Sequence, residues 1–151
     1  MSGRTGFAVG PPPESPCWDP LPPADPPGCL RTWEEGEQLP FGVHDVWCRR
    51  SAGEPWAMQL MLNESRGPMW VYRRHREVTM DLADLVLHDP GGIPFMAPQV
   101  QLLFKAKHHR RDDDADFGAV VGRLDEESLA WLAGMLARYH PHHPWTACLA
   151  R

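Results

Sequence analysis

No apolar run in this chain approaches the roughly 18 residues needed to cross a bilayer. No secretory hydrophobic segment precedes the first cysteine either, because the N-terminal stretch is rich in glycine and proline. A membrane partner is therefore not expected, and the chain reads as soluble and cytoplasmic. The four cysteines, Cys17, Cys29, Cys48 and Cys148, show no Cys-x-x-Cys spacing, and free thiols in a reducing cytosol are expected. An excess of basic charge is missing too. The net charge is −5, which argues against nucleic acid as a partner, since phosphates demand a basic face. The one basic run, His108-His109-Arg110-Arg111, abuts Asp112, Asp113 and Asp114, which would largely cancel its field. There is no Gly-x-Ser-x-Gly, Walker loop or dinucleotide fingerprint, no serine or cysteine nucleophile can be argued, and no internal repeat is visible.

What the chain has in excess is proline. Nine of its 17 prolines fall before Gly28, including Pro11-Pro12-Pro13, Pro22-Pro23 and Pro26-Pro27. Proline removes the backbone donor that a ladder needs, and few aliphatic residues lie between these. Residues 1–23 therefore read as a disordered proline-rich tail, and polyproline capture by a partner is an alternative use for it. Residues 24–151 form the expected folded domain, which is long enough for one core.

Periodicity organises that domain. Val43 to Arg49 reads as a first strand. Trp56 to Leu62 is a run of large apolar residues broken only by Gln59, and reads as the clearest strand. Met69 to Arg74 is a third, expected to pair with the second as an antiparallel hairpin across the Glu64-Ser65-Arg66-Gly67-Pro68 turn. Asp81 to Leu87 is ambiguous, Gly91-Gly92 is a turn and Ile93-Pro94-Phe95 is extended. Pro98 suits the first position of a helix over 98–108, with Val100, Leu103, Phe104 and Lys107 on one stripe. A second helix is expected from Asp113 to Val121, its acids placed where the dipole favours them. A third, capped by Asp125, runs from Glu126 to about Tyr139 with Leu129, Leu132, Ala133 and Leu136 inward.

The block from Gly92 to Lys107, followed by Asp116-Phe117, resembles the C-terminal signature of small-molecule nucleotidyltransferases of the aminoglycoside adenylyltransferase-like kind. Weaker matches are Asp25-Pro26-Pro27-Gly28 before Trp33, Gly42-Val43-His44 before Trp47, Trp56-Ala57, Trp70-Val71-Tyr72-Arg73-Arg74, His140-Pro141 and His143-Pro144-Trp145. The resemblance implies an α+β class, with an incomplete polymerase-β-like nucleotidyltransferase fold: a mixed or antiparallel sheet, Trp56 to Leu62 central in it, and C-terminal helices. It also implies transfer of a nucleoside monophosphate to a hydroxyl of a small-molecule acceptor, using Mg²⁺ and a nucleoside triphosphate. Such sites need an Asp-x-Asp pair on a strand, where residues i and i+2 share a face and grip the metals together.

That pair is expected upstream of Asp25, where only Glu14, Asp19 and Asp25 are acidic and no two stand one residue apart. The third carboxylate of the family falls at Gln59, whose amide binds Mg²⁺ poorly; with a shifted register it falls at Asn63 or Glu64. By resemblance Lys105 occupies a lysine position that contacts triphosphate. The run Asp112-Asp113-Asp114-Ala115-Asp116 contains two Asp-x-Asp spacings, but a helix turns i and i+2 away from one another. It reads instead as a solvated loop and a helix start stabilised by acids; the resemblance implies that Asp116-Phe117 belongs to a structural element in which Phe117 packs and the acid pairs locally. His140, His142 and His143, with Cys148, lack a second ligand pair at zinc spacing.

The expectation is accordingly a truncated or degenerate nucleotidyltransferase-like protein without catalysis of its own, prone to self-association through an exposed sheet edge. The alternatives are an active Mg²⁺-dependent enzyme modifying an aminoglycoside-like small molecule, and a non-catalytic module that docks a partner through its proline-rich tail.

Overall fold

A computed structural model describes residues 19–21, 23–24, 29–31, 33, 36–39 and 43–149. The chain divides into two compact units, Met1–Met80 and Asp81–Arg151. The described elements of the first unit are all strands and the second holds the helices, so the chain as a whole is α+β, and each strand pair with a defined register is antiparallel. Among the described residues no helix is long and apolar enough to cross a membrane.

In the first unit, β4 (Asp45–Arg49) is the middle strand of a three-stranded sheet, between β1 (Asp19–Leu21) and β5 (Met58–Met61). Its residues alternate as a half-buried strand should. Val46 and Cys48 point inward and join Trp33 in a small core that Leu39 and Leu62 close. β1 is an addition to the sequence reading. It carries Pro20, which an edge strand tolerates because the missing N–H can face away from the ladder. A second ladder pairs β2 (Pro23–Ala24) with β3 (Cys29–Leu30). The tail expectation for residues 1–18 lies outside the described residues.

The Trp56 to Leu62 run departs from expectation in two ways. Among the described residues it is an edge strand rather than a central one, and all four residues of β5 are exposed, Met61 to 60%. It also does not pair with the Met69 strand. Instead β6 (Glu64–Arg66) turns directly into β7 (Met69–Val71), which β8 (Thr79–Asp81) flanks in a separate sheet. The reason lies in the turn. Gly67 adopts φ 58°, and Pro68 cannot take positive φ, so this two-residue loop suits a hairpin of the Gly-first kind. Residues expected as a connection become a strand, and β5 is left with β4 alone.

The second unit opens with α1 (Leu82–Leu85), capped by Asp81, whose carboxylate accepts the Ala83 N–H. A hairpin of β9 (Val86–His88) and β10 (Pro94–Met96) follows. Asp89 accepts the N–H groups of Gly91 and Ile93 across its loop, at 2.8 Å each, and Gly92 takes the left-handed turn at φ 79°. Three longer helices carry the core: α2 (Pro98–Ala106), α3 (Arg111–Val121) and α4 (Glu126–Tyr139), with a short α5 (Pro144–Leu149). α2 packs on α4 and α3, and α5 packs on α4.

The starts of α2 and α4 are those the sequence specifies, while α3 begins at Arg111 rather than Asp113. Pro98 opens α2, and Asp125 caps α4 by accepting the Ser128 N–H at 2.7 Å. Val100, Leu102, Leu103 and Ala106 are buried from α2, as are Leu132 and Leu136 from α4. Leu129 and Ala133 are partly buried beside them. Lys107 departs from its expected stripe, because α2 stops at Ala106 and leaves it exposed.

Candidate functional site

The Asp-rich start of α3 organises the chemistry of the second unit. On a helix, residues three apart share a face, so Asp113 and Asp116 both turn toward α2. There the Lys105 ammonium meets them, 2.7 Å from an oxygen of each. Asp113 is the buried member, with its side chain 2% exposed. Its second oxygen accepts the backbone N–H of Arg110, the residue before the helix, at 2.8 Å. A buried carboxylate survives only when both oxygens are satisfied, and here they are. The Lys105 ammonium and then the Arg110 N–H hold the Asp113 carboxyl well below its ordinary value of 3.8, at about 2. Asp113 and then Asp116 in turn push the Lys105 ammonium upward.

Beside this clamp lies an open groove of about 320 Å³, lined by Met96, Pro98, Gln101, Leu102, Lys105, Asp116 and Val120. Its walls are largely apolar, and Lys105 and Asp116 supply the charged end.

Asp114, one residue on from Asp113, faces another way. Its Oδ1 accepts the Trp145 indole N–H at 2.8 Å and stands 2.7 Å from His109 Nε2. These two partners, the indole first, lower its pKa. Trp145 is buried and lies flat on Phe117, with ring centroids 4.6 Å apart and 11° between planes. The ring of His143 stands edge-on to both Trp145 and His109, at 4.6 and 4.7 Å. Burial first, and then His109 and His140, hold the His143 imidazole below its ordinary range, against a smaller opposing pull from Asp114.

The sequence-derived candidates distribute unevenly. Lys105 comes together with Asp113 and Asp116. Gln59 lies exposed on β5 in the first unit, where its amide donates to Asp45 Oδ1 at 2.8 Å. Glu64, at the start of β6, is ion-paired with Arg76. His142 and Cys148 are exposed, and the His140 and His143 rings are 6.5 Å apart. Cys48 is buried on β4. Among the described residues no three His, Cys, Asp or Glu side chains come together so as to hold a metal ion.

Sequence reasoning missed Asp45, His109, Asp114 and Trp145. The His109–Asp114 pair is five residues apart with His109 outside α3, a spacing that no helical period singles out. The Asp114–Trp145 bond spans 31 residues and leaves no local signal. Neither protein-family models, nor curated proteins, nor solved structures yield a match to this chain.

Proposed function

We propose that this chain is a nucleotidyltransferase-like protein that does not catalyse nucleotidyl transfer alone, its Gly92 to Phe117 block serving as scaffold. One observation carries this reading: among the described residues, the carboxylates singled out above are held by cations or amides. Lys105 takes Asp113 and Asp116, Arg76 takes Glu64, and Gln59 donates to Asp45. A Mg²⁺ pair that neutralises a transferring phosphoryl group needs carboxylates converging on one point. The antiparallel α+β architecture agrees with the coarse class that the resemblance implies.

The reading extends to assembly. β5 is the edge of its sheet among the described residues, and from Trp56 to Leu62 it carries no charge. Uncharged edges pair with copies of themselves without repulsion, and the usual guards of lysine or proline are lacking. We assign self-association to this strand.

Calorimetric titration with Mg-ATP tests the first part. No binding heat at millimolar nucleotide is expected, and no transfer of labelled nucleotide to an aminoglycoside acceptor. Binding that disappears in Lys105→Met would overturn the reading in favour of a working, Mg²⁺-dependent transferase.

A further inference from the structure

Three aromatic side chains dock α5: Trp145 within it, His143 just before it and His109 from the connection between α2 and α3. Trp145 supplies the docking surface through its stack on Phe117 and its bond to Asp114. His143 supplies the acceptor for α5, because its Nδ1 accepts the Trp145 backbone N–H at 3.2 Å. First-turn N–H groups of a helix have no internal partner, so this acceptor meets a real need. In the neutral ring an accepting Nδ1 places the proton on Nε2. That Nε2 atom is buried and has no hydrogen-bond partner among the described residues.

A second proton on this ring has nowhere favourable to go. It would sit on Nδ1, where it would abolish the acceptor and turn the Trp145 N–H against a like donor. The resulting cation would face two further imidazoles, His109 from the α2–α3 connection and His140 from the end of α4. Asp114 on α3 is the carboxylate within reach, and its Oδ1 is already shared by His109 and Trp145.

We propose that His143 makes the docking of α5 an acid-released latch, in which proton uptake on Nδ1 frees Trp145 from Phe117 and Asp114. The depressed titration of His143 agrees with this geometry. The sign follows from linkage. The docked state binds the proton less well than the undocked state, so the latch is fully closed above the free-imidazole value of about 6.5. Docking is then lost as pH falls below that value.

The test uses the whole chain, labelled with ¹⁵N, and follows the Trp145 indole N–H from pH 7.5 to 5. After correction for intrinsic exchange, its protection is expected to fall by up to about tenfold per pH unit below about 6.5, the slope of one-proton coupling. His143→Asn places an amide oxygen where Nδ1 stood and does not titrate. In that variant the protection at pH 5 should match that at pH 7.5. Undiminished protection of the wild-type indole at pH 5 would overturn the latch, as would loss in His143→Asn along the wild-type curve. Should the variant fail to fold, the wild-type His143 ring titration decides. A midpoint below that of free imidazole supports the latch, and one at or above it refutes it.

Discussion

Lys105 and Asp113 stand eight residues apart in the chain, on two different helices, and their charged atoms lie 2.7 Å apart. The pair ties the end of α2 to the start of α3. It also consumes the charge that a phosphate ligand would have required of the lysine.

Acid should reveal this pair. Asp113 titrates at about 2 in the folded chain against an ordinary 3.8. Its folded value is depressed, so its stabilisation is complete above about pH 4 and is lost as pH falls from 3.8 toward 2. In Asp113→Asn the thermal midpoint should be lower at neutral pH and flatter between pH 4 and 2. Differential scanning calorimetry across that window checks both.

The two residues should also couple. Lys105→Met leaves the buried carboxylate with the Arg110 N–H and the exposed Arg110 guanidinium at 3.6 Å, and we expect its thermal midpoint to fall by roughly 5 °C or more. The double variant Lys105→Met/Asp113→Asn removes the stranded charge and should recover part of that loss. Strict additivity in a double-mutant cycle would show that the two side chains do not interact.

Trp145 carries packing and one directional bond, and two substitutions separate them. Trp145→Ala removes the stack on Phe117 and should cost roughly 3–5 kcal/mol in urea denaturation, the range for large buried aromatics. Trp145→Phe keeps a ring on Phe117 and loses only the donor to Asp114. Its loss should be a minor fraction of the alanine cost.

Gly67 sets the β6–β7 hairpin at φ 58°, in open space. A Cβ meets no neighbour there, so Gly67→Ala costs conformational energy alone, roughly 1–2 kcal/mol. Denaturant unfolding checks this, and a loss near zero would show that the turn does not demand positive φ at this position.

Association through β5 predicts that one charge on the edge suffices to block it. Leu60→Lys, at an exposed position, should shift sedimentation-velocity profiles toward monomer while leaving the thermal midpoint nearly unchanged. An unaltered profile would place any self-association elsewhere.

The sequence by itself determined the features whose causes are local. Pro98 at a helix start, Asp125 as a cap, the Leu132 and Leu136 stripe and the acids opening α3 all act within one or two turns of chain. The alternation of β4 was equally legible, because a half-buried strand repeats every two residues. The tertiary structure decided what depends on distant partners. It turned Trp56 to Leu62 from an expected centre into an exposed edge, and gave the Met69 strand to Glu64–Arg66 instead. It also brought Trp145 to Asp114 across 31 residues and closed two carboxylates on Lys105. Backbone preferences and periodicity are written residue by residue. Which charge meets which, and which apolar face finds cover, is fixed only when separate elements compete for the same partners.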